Sequence, residues 1–179
     1  MKVQIIYSSL TGCTRRVAEA IYQGLDGEKS IHDLKDGAPV LDGDIIFLGY
    51  WGISGHPNEE MERFMKTVSG KAVGVFCTLG YYADSAHARD TVVSGLDLLK
   101  DRNEVICSYV CNGAISKELR AGQGIEEGHI PTEQKEIRWE ITDSHPTPAE
   151  CALAAERFRE RVYLYSRCRE LNIPFTPVL

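Results

Sequence analysis

Six consecutive residues, Ser9-Leu10-Thr11-Gly12-Cys13-Thr14, bring three hydroxyls and a glycine to the point where an apolar strand meets a helix. The strand is Val3 to Tyr7. The helix is marked by Val17, Ala18, Ile21 and Leu25, which recur on one face. The first amides of a helix have no internal partner, and the helix dipole concentrates positive charge there. Ser9, Thr11 and Thr14 add hydroxyl donors to these amides, so the junction can hold an anion. No lysine follows the glycine, so this is not the loop of a nucleoside triphosphatase. G-x-G-x-x-G is also absent, so a dinucleotide fingerprint is unsupported. Hydroxyls and amides without a cation suit a small monophosphate. The same residues also fit an ordinary N-cap, with Thr11 or Thr14 capping the helix.

Strands and helices alternate around this loop. A second strand fits Ser30 to Leu34, and a third fits the unbroken apolar run Ile45 to Tyr50. Such a run suits a parallel strand buried on both faces. Met61, Phe64, Met65 and Val68 predict a helix over 58–68, capped by Asn58. Ala72 to Thr78 reads as the fourth strand. A helix carrying Val92, Val93, Leu96 and Leu99 opens at Asp84 or Ser85, and Glu104 to Cys111 reads as the fifth strand. The last helix starts at Thr147-Pro148 and buries Cys151, Ala155, Phe158, Val162 and Tyr165. The pattern predicts an α/β fold: a doubly wound five-stranded parallel sheet, order 2-1-3-4-5, with helices on both faces. One domain is expected over 1–179, with an irregular insertion at about 113–146 that holds one short helix near Ile115 and Leu119.

In such a sheet, ligands bind outside the carboxyl ends of the strands. The third strand ends in Tyr50-Trp51-Gly52, the fourth in Thr78-Leu79-Gly80-Tyr81-Tyr82, and the fifth in Asn112-Gly113. A flat aromatic ligand needs stacking partners, and Trp51 with Tyr82 or Tyr81 supplies them. Packing of Trp51 and anchoring of the tyrosines in their loop explain each residue taken singly.

The spacing [ST]-x-T-G-x-T after an N-terminal strand resembles the phosphate loop of flavodoxins, and Trp51-Gly52 resembles the Trp-Gly of their second flavin loop. Tyr82 falls where the third loop places a ring over the flavin. The resemblance covers about residues 1–112 and the last helix. It implies flavin mononucleotide (FMN) held by Ser9, Thr11, Gly12, Cys13, Thr14, Tyr50, Trp51, Gly52, Thr78, Leu79, Gly80, Tyr82, Asn112 and Gly113. It also implies electron transfer between a reductase and an acceptor enzyme as protein partners. By the same resemblance, a turn at Gly52 with positive φ presents a carbonyl to the flavin N5. Flavodoxin loops are usually strongly acidic, whereas here they hold Glu59, Glu60 and Asp84. The stretch 113–145 has no counterpart in ordinary flavodoxins. It is similar to a branch from anaerobes, some of whose members are linked to tetrapyrrole reduction.

Composition narrows the alternatives. The net charge of −6 leaves no basic surplus for nucleic acid or for an acidic membrane surface. No apolar run reaches membrane-spanning length, and Lys2 is followed by a short strand, not an export signal. Six cysteines without CxxC spacing read as reduced thiols in a cytoplasmic protein, with Cys77 and Cys107 as small buried apolar groups. The histidines lack metal-ligand spacing. Three functions remain: an FMN electron carrier, an FMN reductase acting directly on a quinone, tetrapyrrole or other organic acceptor, and a flavin-free partner-binding module. In the second, His129 or His145 is the candidate proton donor.

Overall fold

The computed structural model describes residues 1–121 and 132–177. Five parallel strands form the sheet: β1 (Val3–Tyr7), β2 (Lys29–Asp33), β3 (Ile45–Ile53), β5 (Ala72–Leu79) and β6 (Glu104–Asn112). Their order is β2-β1-β3-β5-β6, which is the expected topology once the two-residue strand β4 (His56–Pro57) is set aside. β4 pairs antiparallel with the end of β3.

The apolar strands are buried on both faces because successive side chains point to opposite sides of the sheet. Ile5, Ile45 and Phe47 pack with Val17, Ala18 and Ile21 of α1 (Cys13–Gly24) and Phe158 of α6 (Pro148–Glu170). Ile6, Ile46 and Leu48 pack with Met61 and Met65 of α2 (Glu59–Met65) and Val92 and Leu96 of α3 (Ala86–Asp97). In β6 the register slips opposite Val73 and Gly74, so Ile106 and Cys107 both reach the α1–α6 side. Burial pushes the Cys77 and Cys107 thiols well up, which keeps them protonated. All six cysteines are free.

Several boundaries differ from expectation. Val93 is 47% exposed and leaves the α3 stripe, because tertiary packing turns the helix about Ala88, Val92 and Leu96. In α6 the buried line runs through Ala154, Phe158, Tyr165 and Cys168, and Cys151, Ala155 and Val162 flank it. Asn58 stands at the α2 N-cap but makes no side-chain cap bond. The insertion is less irregular than its composition suggests. It holds α4 (Lys117–Arg120) and the ten-residue α5 (Glu133–Thr142), which is capped by Thr132 and buries Trp139. Gly122, Gly124, Gly128, His129 and Pro131 lie outside the described residues.

The start of α6 is built by a capping box. Thr147 Oγ1 accepts from the Glu150 N–H at 3.2 Å, and Glu150 Oε2 accepts from the Thr147 N–H at 2.6 Å. His145 Nδ1 lies 2.7 Å from the same carboxylate oxygen. Burial pushes the Glu150 carboxyl up, but the hydrogen bonds from Thr147 and His145 outweigh it and hold the group below the usual glutamate range. A depressed folded-state pKa stabilises above the unfolded pKa, and that stability is lost as pH falls through the folded value. Glu150→Gln is therefore expected to flatten the acid limb of the stability curve while costing about 1 kcal/mol at neutral pH. Urea titrations at a series of pH values measure both effects, and an unchanged acid limb refutes the assignment.

Candidate functional site

Four strand ends meet at the carboxyl edge of the sheet. Gly12 is the N-cap of α1 at φ 86°, a left-handed backbone that glycine adopts without the strain a Cβ brings. It has no side chain to cap the helix. Ser9 takes that part: its Oγ accepts the Arg15 N–H at 3.2 Å, which answers the expectation that Thr11 or Thr14 would cap. The amides of Cys13 and Thr14, in the first turn, have no acceptor within the helix.

Thr14 is buried, and its Oγ1 lies 2.9 Å from Thr78 Oγ1 at the end of β5. Two hydroxyls carry two protons, and their mutual bond uses one. The pair therefore retains a donor beside the open amides, which suits an acceptor-only group such as a phosphate. Thr11 is exposed, and its hydroxyl reaches Cys13 Sγ at 3.2 Å and the Ala114 carbonyl at 3.3 Å. The nearby cations are engaged elsewhere. Arg15 pairs with Glu19 at 2.7 Å, and the Arg16 guanidinium donates to the His145 carbonyl at 2.7 Å.

Cys13 joins three segments. Its sulfur accepts the Ala114 N–H at 3.2 Å, beyond β6, and lies 3.5 Å from the His145 carbonyl, before α6. Asn112 Oδ1 accepts the Ala83 N–H at 2.9 Å, and the Gly113 N–H donates to the Leu79 carbonyl at 2.9 Å. These bonds tie the β5 and β6 exits together. Gly80 lies against Ile115, and Leu79 is buried.

The aromatic residues divide. Trp51 is half-buried at the end of β3, and Tyr82 is 44% exposed. Tyr81 is covered: the Arg138 guanidinium of α5 lies 4.4 Å over its ring, and His87 flanks it at 5.7 Å. Tyr50 faces the core, where its hydroxyl donates to the Thr91 carbonyl at 3.1 Å, so its ring is not available for stacking. His145 is turned onto Glu150, and His129 lies outside the described residues.

The turn expected at Gly52 lies two residues later. Gly52 is within β3, opposite Pro57 of β4, and the chain reverses through Ser54 at φ 50° and Gly55 at φ 82°. Two residues at positive φ make the favoured two-residue hairpin connection. Glycine at 52 answers a steric demand instead, since a Cβ there would lie 2.8 Å from Thr91 Cγ2. Sequence reasoning missed this hairpin, although Ser54-Gly55 before His56-Pro57 carries a turn signal.

The family model described as a flavodoxin domain matches residues 4–159. A flavodoxin-like domain-containing protein of Clostridioides difficile, BilS, is 30% identical over 125 residues, spanning 68% of this chain and 71% of its own. Among solved structures, the Fusobacterium nucleatum flavodoxin bound to flavin mononucleotide aligns with TM-score 0.55 and 14% identity, over 93% of this chain and 97% of its own. A Streptococcus pneumoniae TIGR4 flavodoxin aligns with TM-score 0.53 and 17% identity, over 78% and 96%. The chain belongs to the flavodoxin family.

Proposed function

We propose that this chain holds FMN at the carboxyl edge of its sheet and carries electrons between a reductase and an acceptor enzyme. The carrying observation is the anion cradle at the start of α1. Glycine occupies the N-cap, and the Thr14–Thr78 hydroxyl pair, with a proton to spare, stands beside it. FMN, the cofactor of the family, fits this donor set: the phosphate takes the amides and hydroxyls, and Trp51 and Tyr82 offer the aromatic faces.

Bound FMN supplies the electron chemistry, and the protein binds it, orients it and tunes its potential. Ser9, Thr11, Gly12, Cys13, Thr14 and Thr78 form the phosphate end. Asn112 and Gly113 hold the β5 exit that carries Tyr82. Tyr50 supports β3 from the core. The Asn58 N–H beside the Gly52–Pro57 pair donates to the Trp51 carbonyl at 3.1 Å, which fixes the exit of β3 where Gly52 would border the ring.

No helix among the described residues is long and apolar enough to cross a membrane. The free thiols suit a reducing compartment, and the cytoplasm is the proposed location. The family supports protein redox partners, and the net charge of −6 argues against nucleic acid.

A direct reductase reading has one observation of its own. Arg138 brings α5 onto Tyr81, so the insertion reaches the loop that carries the outer aromatic residue. In that reading α5 borders the place where a quinone, tetrapyrrole or other organic acceptor would meet the flavin.

Purification followed by release and mass identification of the chromophore tests the cofactor. A colourless protein that takes up no added FMN refutes it. Oxidation of a nicotinamide cofactor in the presence of an organic acceptor, with no reductase added, favours the direct enzyme over the carrier. Trp51→Ala is expected to weaken FMN ten-fold or more, since stacking contributes about 0.5–1.5 kcal/mol beyond the area it buries. Flavin fluorescence titration reads the change.

A further inference from the structure

A cleft of about 720 Å³ opens between the end of β1, the β3–β4 hairpin and the first turn of α2. Among the described residues its wall includes none from the Tyr81-Tyr82 loop. Three carboxylates line it. Glu59 is paired with Arg63, and Glu62 with Lys66 at 2.7 Å. Glu60 has no basic group at ion-pair distance among the described residues; its Oε2 accepts from Ser8 Oγ at 2.6 Å.

The next bond in this chain orients Asn58. An ionised carboxylate can only accept, so the Ser8 proton points to Glu60 and Ser8 must accept from Asn58. Asn58 Nδ2 does donate to Ser8 Oγ, at 2.9 Å. The atom left over is Asn58 Oδ1. The residue is 3% exposed, lines the cleft, and among the described residues has no donor for that oxygen. A buried polar atom without a partner is destabilising and calls for an explanation. Here it stands beside the exposed Glu60 carboxylate, which has no basic partner among the described residues, with the half-buried Trp51 on the same wall.

A ligand completing this site must bring positive charge, more than one N–H donor and a flat surface that tolerates an aromatic neighbour. Guanidinium has all three: it is always charged, presents several donors in a plane and stacks on aromatic rings. An ammonium group presents its donors from a single point and stays strongly hydrated. We propose that this cleft is a binding site for a guanidinium group, held by Glu60 and Asn58 against Trp51. Its source is an arginine side chain of a docking protein or a free guanidine compound. The site shares Ser9 with the phosphate loop and Trp51 with the proposed stacking pair, but it does not rest on the flavin reading.

Calorimetric titration with arginine methyl ester tests the site, with lysine methyl ester as comparison, on the protein as purified and after addition of excess FMN. Saturable one-to-one binding, tighter for the arginine ester, is expected in both states. Glu60→Gln keeps an acceptor for Ser8 and deletes the charge, and should weaken binding about ten-fold or more. Glu62→Gln, whose carboxylate is already neutralised by Lys66, should change binding less than about two-fold. Should Glu60→Gln fail to fold by circular dichroism, Asn58→Ala carries the same comparison. A blocked Ala-Arg-Ala peptide that binds at least as tightly as the ester identifies a protein side chain as the source; binding of the ester alone identifies a small guanidine. The proposal is overturned by no saturable binding, by equal affinity in Glu60→Gln and wild type, or by loss of binding on FMN loading, which would assign the cleft to the flavin.

Discussion

Thr11→Glu is expected to abolish flavin retention while leaving the fold intact. Thr11 is exposed, and its hydroxyl bonds only to Cys13 Sγ and the Ala114 carbonyl among the described residues, so a longer side chain can be accommodated without disturbing the core. It also sits one residue before the helix N-cap, where the proposed phosphate is held by uncharged donors. Two negative charges about 4 Å apart repel by about 4 kcal/mol at an effective dielectric of about 20. That corresponds to nearly a thousandfold loss of affinity. Thr11→Val removes one hydroxyl and no more, and should cost about 1 kcal/mol. Fluorescence titration with FMN, alongside far-ultraviolet circular dichroism, separates a lost site from a lost fold. Unchanged affinity in folded Thr11→Glu would remove the phosphate from this loop, and with it the case for the whole site.

The second large effect concerns the helix that closes the sheet. Phe158 of α6 is fully buried, with its ring edge-on to Phe47 at 4.5 Å and to Phe76 at 5.9 Å. The contacts join α6 to the two central strands β3 and β5. Phe158→Ala removes the burial and both ring contacts and leaves a cavity between elements that cannot collapse freely, at a cost of about 3–5 kcal/mol. Domains of this kind are stable by about 5–15 kcal/mol, so a large fraction of the total is lost. Chemical denaturation reads it as a lower midpoint. A change under 1 kcal/mol would mean that α6 does not dock as described. FMN affinity measured below the transition should change far less than stability, since the two rings it meets, Phe47 and Phe76, stand inside their strands and not at the carboxyl ends.

Much of the fold is legible in the chain. The continuous apolar runs at 45–50 and 72–78 demand strands buried on both faces, and the alternating helices then demand a parallel sheet. Once the strands are parallel, their carboxyl ends lie on one edge, and Ser9, Trp51, Thr78 and Gly113 come together by topology alone. The capping box of α6 is likewise local, since Thr147 and Glu150 stand three residues apart. The insertion was less legible. The ten residues of α5 have little apolar periodicity, and their anchors, Trp139 in the core and Arg138 on Tyr81, are tertiary contacts.

By itself the sequence determined the strand order and the edge of the sheet on which the proposed site lies. It also determined the hydroxyl loop at the first strand-to-helix junction, because these follow from periodicities and from a motif contained in six residues. Tertiary structure alone decided which side chains are free to act. Tyr50 and Tyr82 have the same chemistry, yet one bonds to the Thr91 carbonyl in the core and the other is left to solvent. It also moved the turn from Gly52 to Ser54-Gly55, because β3 continues until β4 folds back on it. Thr14 meets Thr78, and Asn58 meets Ser8, across 64 and 50 residues. Pairings of that range are set by the packing of strands and helices, and no local spacing encodes them.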